Sequence, residues 1–271
     1  MKHSNLFVDL IDSINLYFQF LKLSVLRLAA YRLSFFSLVL ASFLNQVGSV
    51  FLLWVLLNSI IEINGWGFAE LFLLNGIASL SINIFEYFFS SLHLMGSYIQ
   101  RGRLDFILVR PRNEIFQILI HQINVEDLAS PIFSIAKILI AFSLLKITLG
   151  PIDLLMFLLL LACGIVIIFS IVLFISSLSF FFFGIHYILY SFFDILEMLK
   201  YPIEIYGNMV AVLFTFVLPF AFASYYPVEF ILGKGINKEF IWLSPIVAAM
   251  SFLIAYNLFK LGLKRYNSSG S

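Results

Sequence analysis

From Leu154 to Ile175 the chain runs without one charged side chain. A run of about 18 or more apolar residues is long enough to cross the hydrocarbon of a bilayer as a helix. Lipid offers no hydrogen bonds to an open backbone, so such a run must close its own as a helix. Composition extends the point to the whole chain. Of 271 residues, 62% are hydrophobic and 11% charged, with mean hydropathy +1.05. A soluble domain carries about 25% charged residues, so there is too little polar surface here to cover a globule in water. The 33 Phe and 12 Tyr suit helices that face acyl chains and interfaces.

Read along its length, the chain predicts an all-α polytopic membrane protein forming one transmembrane domain over 1–271. Apolar residues Leu6, Leu10, Ile14, Phe18, Leu21 and Val25 recur at roughly helical spacing among polar ones. That pattern predicts an amphipathic helix over 1–28 lying in the membrane interface, or an extension of the first span. Six spans are expected at 33–61, 68–94, 128–147, 152–177, 179–200 and 239–262. The polar link Glu62–Gly67 turns the chain between the first two, with Trp66 suited to an interfacial belt. Residues 203–226 are apolar but interrupted by Gly207 and Pro219, with Pro227 just beyond.

Lys and Arg concentrate in short loops on the cytoplasmic side of a membrane. With the N-terminus inside, that side collects Lys2, Lys22, Arg27, Arg32, Arg101, Arg103, Arg110, Arg112, Lys260, Lys264 and Arg265, eleven of the sixteen basic residues. Both termini are then expected inside, which requires an even number of crossings. Residues 203–226 are accordingly read as re-entrant helices entering from the outer face.

Catalytic signatures are missing. There is no GxxxxGK[ST] phosphate loop, HExxH, CxxC or GxSxG. Gly233-Lys234-Gly235 lacks the phosphate-loop spacing, and His3, His93, His121 and His186 are scattered. Glu126-Asp127 reads as a solvated helix start, and Cys163 as a small core residue. A net charge of +1 gives no electrostatic reason to bind nucleic acid. The first thirty residues, with Asp9, Asp12, Lys22 and Arg27, do not follow a cleavable signal pattern. Asn267-Ser268-Ser269 matches a glycosylation sequon in a tail expected to be disordered and to face the cytoplasm.

Charges inside spans mark networks or pathways. Lys137 and Glu86 can pair with one another or line an ion path. Asp194, Glu197 and Lys200 follow at helical spacing and can satisfy one another near the outer end of their span. A structural network and a gate both fit them.

The most charged stretch joins spans two and three. In Arg101-Gly102-Arg103-Leu104-Asp105-Phe106-Ile107-Leu108-Val109-Arg110-Pro111, residues Leu104, Ile107 and Leu108 stand at i, i+3 and i+4. A short helix over 100–112, started at Gly102 and stopped by Pro111, would carry them as one apolar edge. Such an edge suits a groove on another protein. The same loop also reads as a basic segment that only fixes topology.

Gly102-x-Leu104-Asp105-x-x-Leu108-x-x-Pro111 resembles the G-x-L-D-x-x-L-x-x-P loop of a branch of bacterial type-2 ATP-binding-cassette exporter permeases. Gly65-Trp66-x-x-x-Glu70 and Tyr201-Pro202-x-x-Ile205-Tyr206, followed by Pro219-Phe220-Ala221-Phe222 and Pro227, agree in order and spacing. The resemblance implies two permease subunits, identical or related, around a central path in the bacterial cytoplasmic membrane. It implies two ATP-binding cassette subunits beneath them, which bind ATP and Mg, so that this chain is not itself an enzyme and holds no cofactor. Arg101, Gly102, Arg103, Leu104, Asp105, Leu108, Arg110 and Pro111 would form the coupling helix. Tyr201, Pro202, Tyr206, Pro219, Phe220 and Pro227 would belong to the re-entrant segment that closes the path. Such members often carry a basic residue in that segment, whereas 205–222 has none. The expected function is export of an amphipathic or hydrophobic substrate by alternating access, in contact with membrane lipids. A gradient-driven transporter and a non-transporting membrane subunit are the alternatives.

Overall fold

The computed structural model describes residues 15–26, 32–59, 64–110, 112–121, 129–234 and 238–266. Those residues are helical almost throughout. Helix α1 covers 15–26. The long helices are α2 (Arg32–Ser59), α3 (Phe68–Phe89), α8 (Pro151–Ser177) and α12 (Lys238–Arg265). Among the described residues, four helical stretches are long and apolar enough to cross a membrane: Arg32–Asn58, Phe68–Gln100, Pro151–Phe180 and Ile241–Arg265. Between them lie α4 (Met95–Gln100), α5 (Arg103–Leu108), α6 (Glu114–His121), α7 (Ala129–Leu145), α9 (Ile185–Glu197), α10 (Gly207–Val212) and α11 (Tyr225–Leu232).

Helix α3 is the central post. Leu71, Leu73, Leu74, Ile77 and Phe85 on it are fully buried, against α7, α8, α2 and α11. Its start explains the Gly65-Trp66-x-x-x-Glu70 pattern. The Gly67 N–H donates to Glu70 Oε2 at 3.1 Å, which occupies one of the orphan donors of a helix N-terminus. The same Glu70 oxygen takes the Lys234 ammonium at 2.5 Å, and Lys234 also donates to Gly65 O at 3.0 Å. Lys234 stands 5.6 Å over the Trp66 ring, whose centroid is 5.7 Å from that of Tyr225. Trp66 is therefore buried under the loop after α11.

Helix α9 begins at Ile185, not at 179. Helix α8 runs on through a 3₁₀ turn at Leu178–Phe180, and the chain reverses at Gly184 (φ +80°). Only glycine takes that left-handed conformation without steric cost, so it sets the boundary. Helix α9 ends in a 3₁₀ turn, Met198–Lys200.

Residues 203–226 are broken as their prolines and glycine demand. A 3₁₀ turn (Ile203–Tyr206), α10, a π turn (Leu213–Val217) and a 3₁₀ turn (Phe220–Ala223) follow one another, with Gly207 at φ +81°. The last turn is wedged into the bundle. A Cβ at Gly164 of α8 would stand 2.6 Å from Ala223 Cα, so the missing side chain is what admits it. Ser81 Oγ donates to Ala223 O at 3.0 Å and Ser224 Oγ to Leu199 O at 2.9 Å.

Helix α1 rests on α3. The Tyr17 hydroxyl donates to Phe88 O at 3.1 Å and its ring stacks on Phe88. Residues 1–14 and 27–31 of the expected amphipathic segment, Glu126-Asp127 and the sequon at Asn267 lie outside the described residues.

Candidate functional site

Helix α5 is the first candidate. Gly102 (φ +64°) provides its abrupt start. Leu104 and Ile107 are 0% and 3% exposed, packed into the body of the chain, whereas Phe106 and Val109 are 76% and 85% exposed. The expected apolar edge thus anchors the helix, with Leu108 half-buried beside it. The outward apolar groups are Phe106 and Val109, flanked by exposed Arg101, Arg103, Arg110 and Arg112. The reason is the 3.6-residue period. Once Leu104 and Ile107 turn inward, Phe106 and Val109 must turn out. Pro111 lies outside the described residues.

The anchor is reinforced from α6 and α12. Buried Gln117 donates from Nε2 to Arg110 O (3.2 Å) and Arg112 O (2.9 Å). Lys260 on α12 donates to Glu114 Oε2 at 2.9 Å. Partial burial opposes the Glu114 charge, but the Lys260 hydrogen bond helps to hold its carboxyl below the usual glutamate range. Burial and the nearby Asp105 carboxylate push the Tyr266 phenol up to about 12, which places the end of α12 beside α5. A Cβ at Gly262 would fall 2.3 Å from the Phe180 ring, so α12 also sits directly on the turn after α8.

A buried polar seam between α2, α3 and α7 is the second candidate. Lys137, 5% exposed, does not reach for Glu86. Its Nζ donates to Asn75 Oδ1 (2.6 Å) and Ser79 Oγ (3.0 Å). His93 faces Glu86, with Nε2 3.8 Å from Oε1. Two neutral oxygens and the ammonium stem's own methylenes make the buried lysine tolerable. Further along the seam, Asn83 Nδ2 donates to Ser134 Oγ at 2.9 Å. Lys200 and Glu197 pair at 2.5 Å, while Asp194 is exposed one turn earlier. The Glu197–Lys200 pair shares a cavity with Ser42, Asn45 and Asn83, level with the middle of α2, rather than lying at the far end of the bundle.

The remaining predicted residues form the wedge. Pro219, Phe220 and Pro227 are buried, and Phe220 packs on Phe192 and Phe214. Pro202 is buried, Tyr201 is half-buried, and Tyr206 donates to Met198 O at 3.0 Å. Tyr225 and Glu229 were missed by sequence reasoning. The Tyr225 hydroxyl contacts Glu204 and, at 2.8 Å, Glu229 Oε1. Burial pushes the Glu229 carboxyl above its usual range.

Residues 43–270 match the model of the family described as ABC-2 family transporter protein. The chain belongs to the ABC-2 transporter family. The matched stretch takes in α5, the seam and the wedge, so all three are parts of an ABC-2 membrane domain. Members of the family are membrane subunits that normally partner an ATP-binding cassette ATPase. No curated protein matches this ABC-2 chain at significant similarity.

The α2 side of the seam in this ABC-2 domain was also missed. Ser42, Asn45, Gln46 and Ser49 stand at i, i+3, i+4 and i+7 in an otherwise apolar helix, a signal that hydrophobic content alone conceals. Ser49 Oγ lies 3.5 Å from Asn75 Oδ1, joining this stripe to Lys137.

Proposed function

We propose that this chain is the permease subunit of an ATP-driven exporter in the bacterial cytoplasmic membrane, with both termini inside. Two copies or related chains pair around a central path. Separate cassette subunits bind ATP and Mg, and α5 receives their motion as the coupling helix. The spans then alternate between inward- and outward-open arrangements, and residues 203–226 act as re-entrant outer helices that close the path. Six crossings fit this reading, with α7 and the α9 stretch joining the four long helices. The substrate is amphipathic or hydrophobic.

The observation that carries the reading is the exposed pair Phe106 and Val109, set among four arginines on a helix fixed to the bundle. Exposed apolar groups ringed by polar ones mark a protein interface. The test is capture of the cassette ATPase on the detergent-solubilised full chain. The wild type should retain the ATPase and support hydrolysis. Phe106→Asp with Val109→Asp should cut capture by roughly tenfold or more, as loss of two interface anchors does. Absence of any captured ATPase, or intact capture by the double variant, overturns the reading.

A further inference from the structure

Two cavities of opposite chemistry meet on the α2–α3–α7 face. The first, about 480 Å³, is walled almost wholly by carbon, including Phe43, Val47, Trp54, Phe72 and Phe133. Lys137 contributes its stem there and sends its ammonium away to Asn75 and Ser79. The second, about 280 Å³, is predominantly polar, with Ser42, Asn45, Asn83 and the Glu197–Lys200 pair. Gln46 is a wall of both. We propose that this face binds one drug-sized amphiphile, its apolar tail in the first cavity and a net-neutral, hydrogen-bonding head in the second.

The size and the charge balance set the class. A cavity of several hundred Å³, apolar with a few convergent polar groups, is the usual form of a small-molecule site. In the polar cavity Lys200 and Glu197 already neutralise each other at 2.5 Å. A head with net charge would enter beside a satisfied pair and find no counter-ion of its own there. A polyol or zwitterionic head instead meets hydroxyl, amide and paired ionic groups that can donate and accept. This rests on the exporter reading for its meaning as a substrate site, but binding itself needs no ATPase.

The test uses the full chain in nanodiscs of unbrominated phosphatidylcholine. Trp54 lines the apolar cavity, so quenching lost in Trp54→Phe reports on it. Probes are dibromododecyl maltoside, phosphocholine, sulfate and trimethylammonium, with dibrominated phosphatidylcholine as the bilayer arm. The two net-neutral single-chain probes should quench Trp54 saturably, at roughly tenfold lower mole fraction than the charged ones, the ratio for one tenfold step in affinity. Gln46→Leu should erase that preference between heads while keeping quenching by the tails. Equal, unsaturable quenching by all probes, a charged probe ahead, phosphatidylcholine equal to the single-chain probes, or a preference unchanged in Gln46→Leu each overturns the proposal. If the ATPase is still captured in that event, the exporter reading stands without this site.

Discussion

Lys260 Nζ on the last helix lies 2.9 Å from Glu114 Oε2 at the start of α6. The pair spans 146 residues of sequence and closes the loop that carries α5 against α12. Both side chains are about one-third exposed, so the direct gain is modest, on the order of 0.5 kcal/mol. Lys260→Met should lower thermal stability in detergent slightly, and a Glu114→Lys, Lys260→Glu exchange should restore it. The pH dependence has a definite sign. Glu114 has a depressed carboxyl, so its contribution is present above the ordinary glutamate value and is lost as pH falls through the native one. The wild type should therefore lose more stability than Lys260→Met between neutral and acidic pH, as read by melting in a pH series.

The buried lysine gives an asymmetric prediction. Lys137→Met replaces an ammonium by an apolar group of similar length and leaves two neutral partners. Asn75→Leu instead strips a cation of its 2.6 Å acceptor. Losing one neutral acceptor of a charged donor costs about 1.5–3 kcal/mol, whereas apolar replacement of the charge is milder. Expression and melting of the two variants in detergent should rank Asn75→Leu well below Lys137→Met. The reverse ranking would show that the ammonium is not held by this acceptor.

Tight packing at the wedge predicts another contrast. Gly164→Leu places a side chain where Ala223 Cα is 2.6 Å from the would-be Cβ, and overpacking costs about 1–3 kcal/mol or more. Nothing lies within 4 Å of a Cβ at Gly48, so Gly48→Ala should be neutral or slightly stabilising. Denaturation of the purified chain separates the two.

The orientation is open to direct labelling. In a Cys163→Ser background, Arg103→Cys should react with a membrane-impermeant maleimide only after the cells are opened. Lys146→Cys, at the end of α7, should react in intact cells. The opposite pattern would invert the proposed topology and place α5 out of reach of a cytoplasmic ATPase.

Much of the fold was legible because apolar length and turn residues are local signals. The break of 203–226 followed from Gly207 and Pro219, and the turn before α3 from the polar link Glu62–Gly67. The start of α9 was not legible. Phe180–Phe183 looks as apolar as a span, and only the left-handed Gly184 shows that it is a turn. Side-chain partnership was the larger gap. Lys137 and Glu86 are both ionisable, so charge reasoning coupled them, whereas packing gives Lys137 the neutral Asn75 and Ser79. The cover of Trp66 by Lys234, 168 residues on, is likewise not written in any local pattern. For α5, periodicity located the apolar edge but could not say whether that edge turned inward or outward.

That inward turn has a mechanical consequence. With Leu104 and Ile107 set in the bundle, Gln117 bracing the exit and Asp105 lying beside Tyr266, α5 has little slack. A load applied at Phe106 would not swing a loose loop. It would pass into α3 through the short α4 and into α12 through Tyr266 and Lys260, so two of the four longest helices would be displaced together.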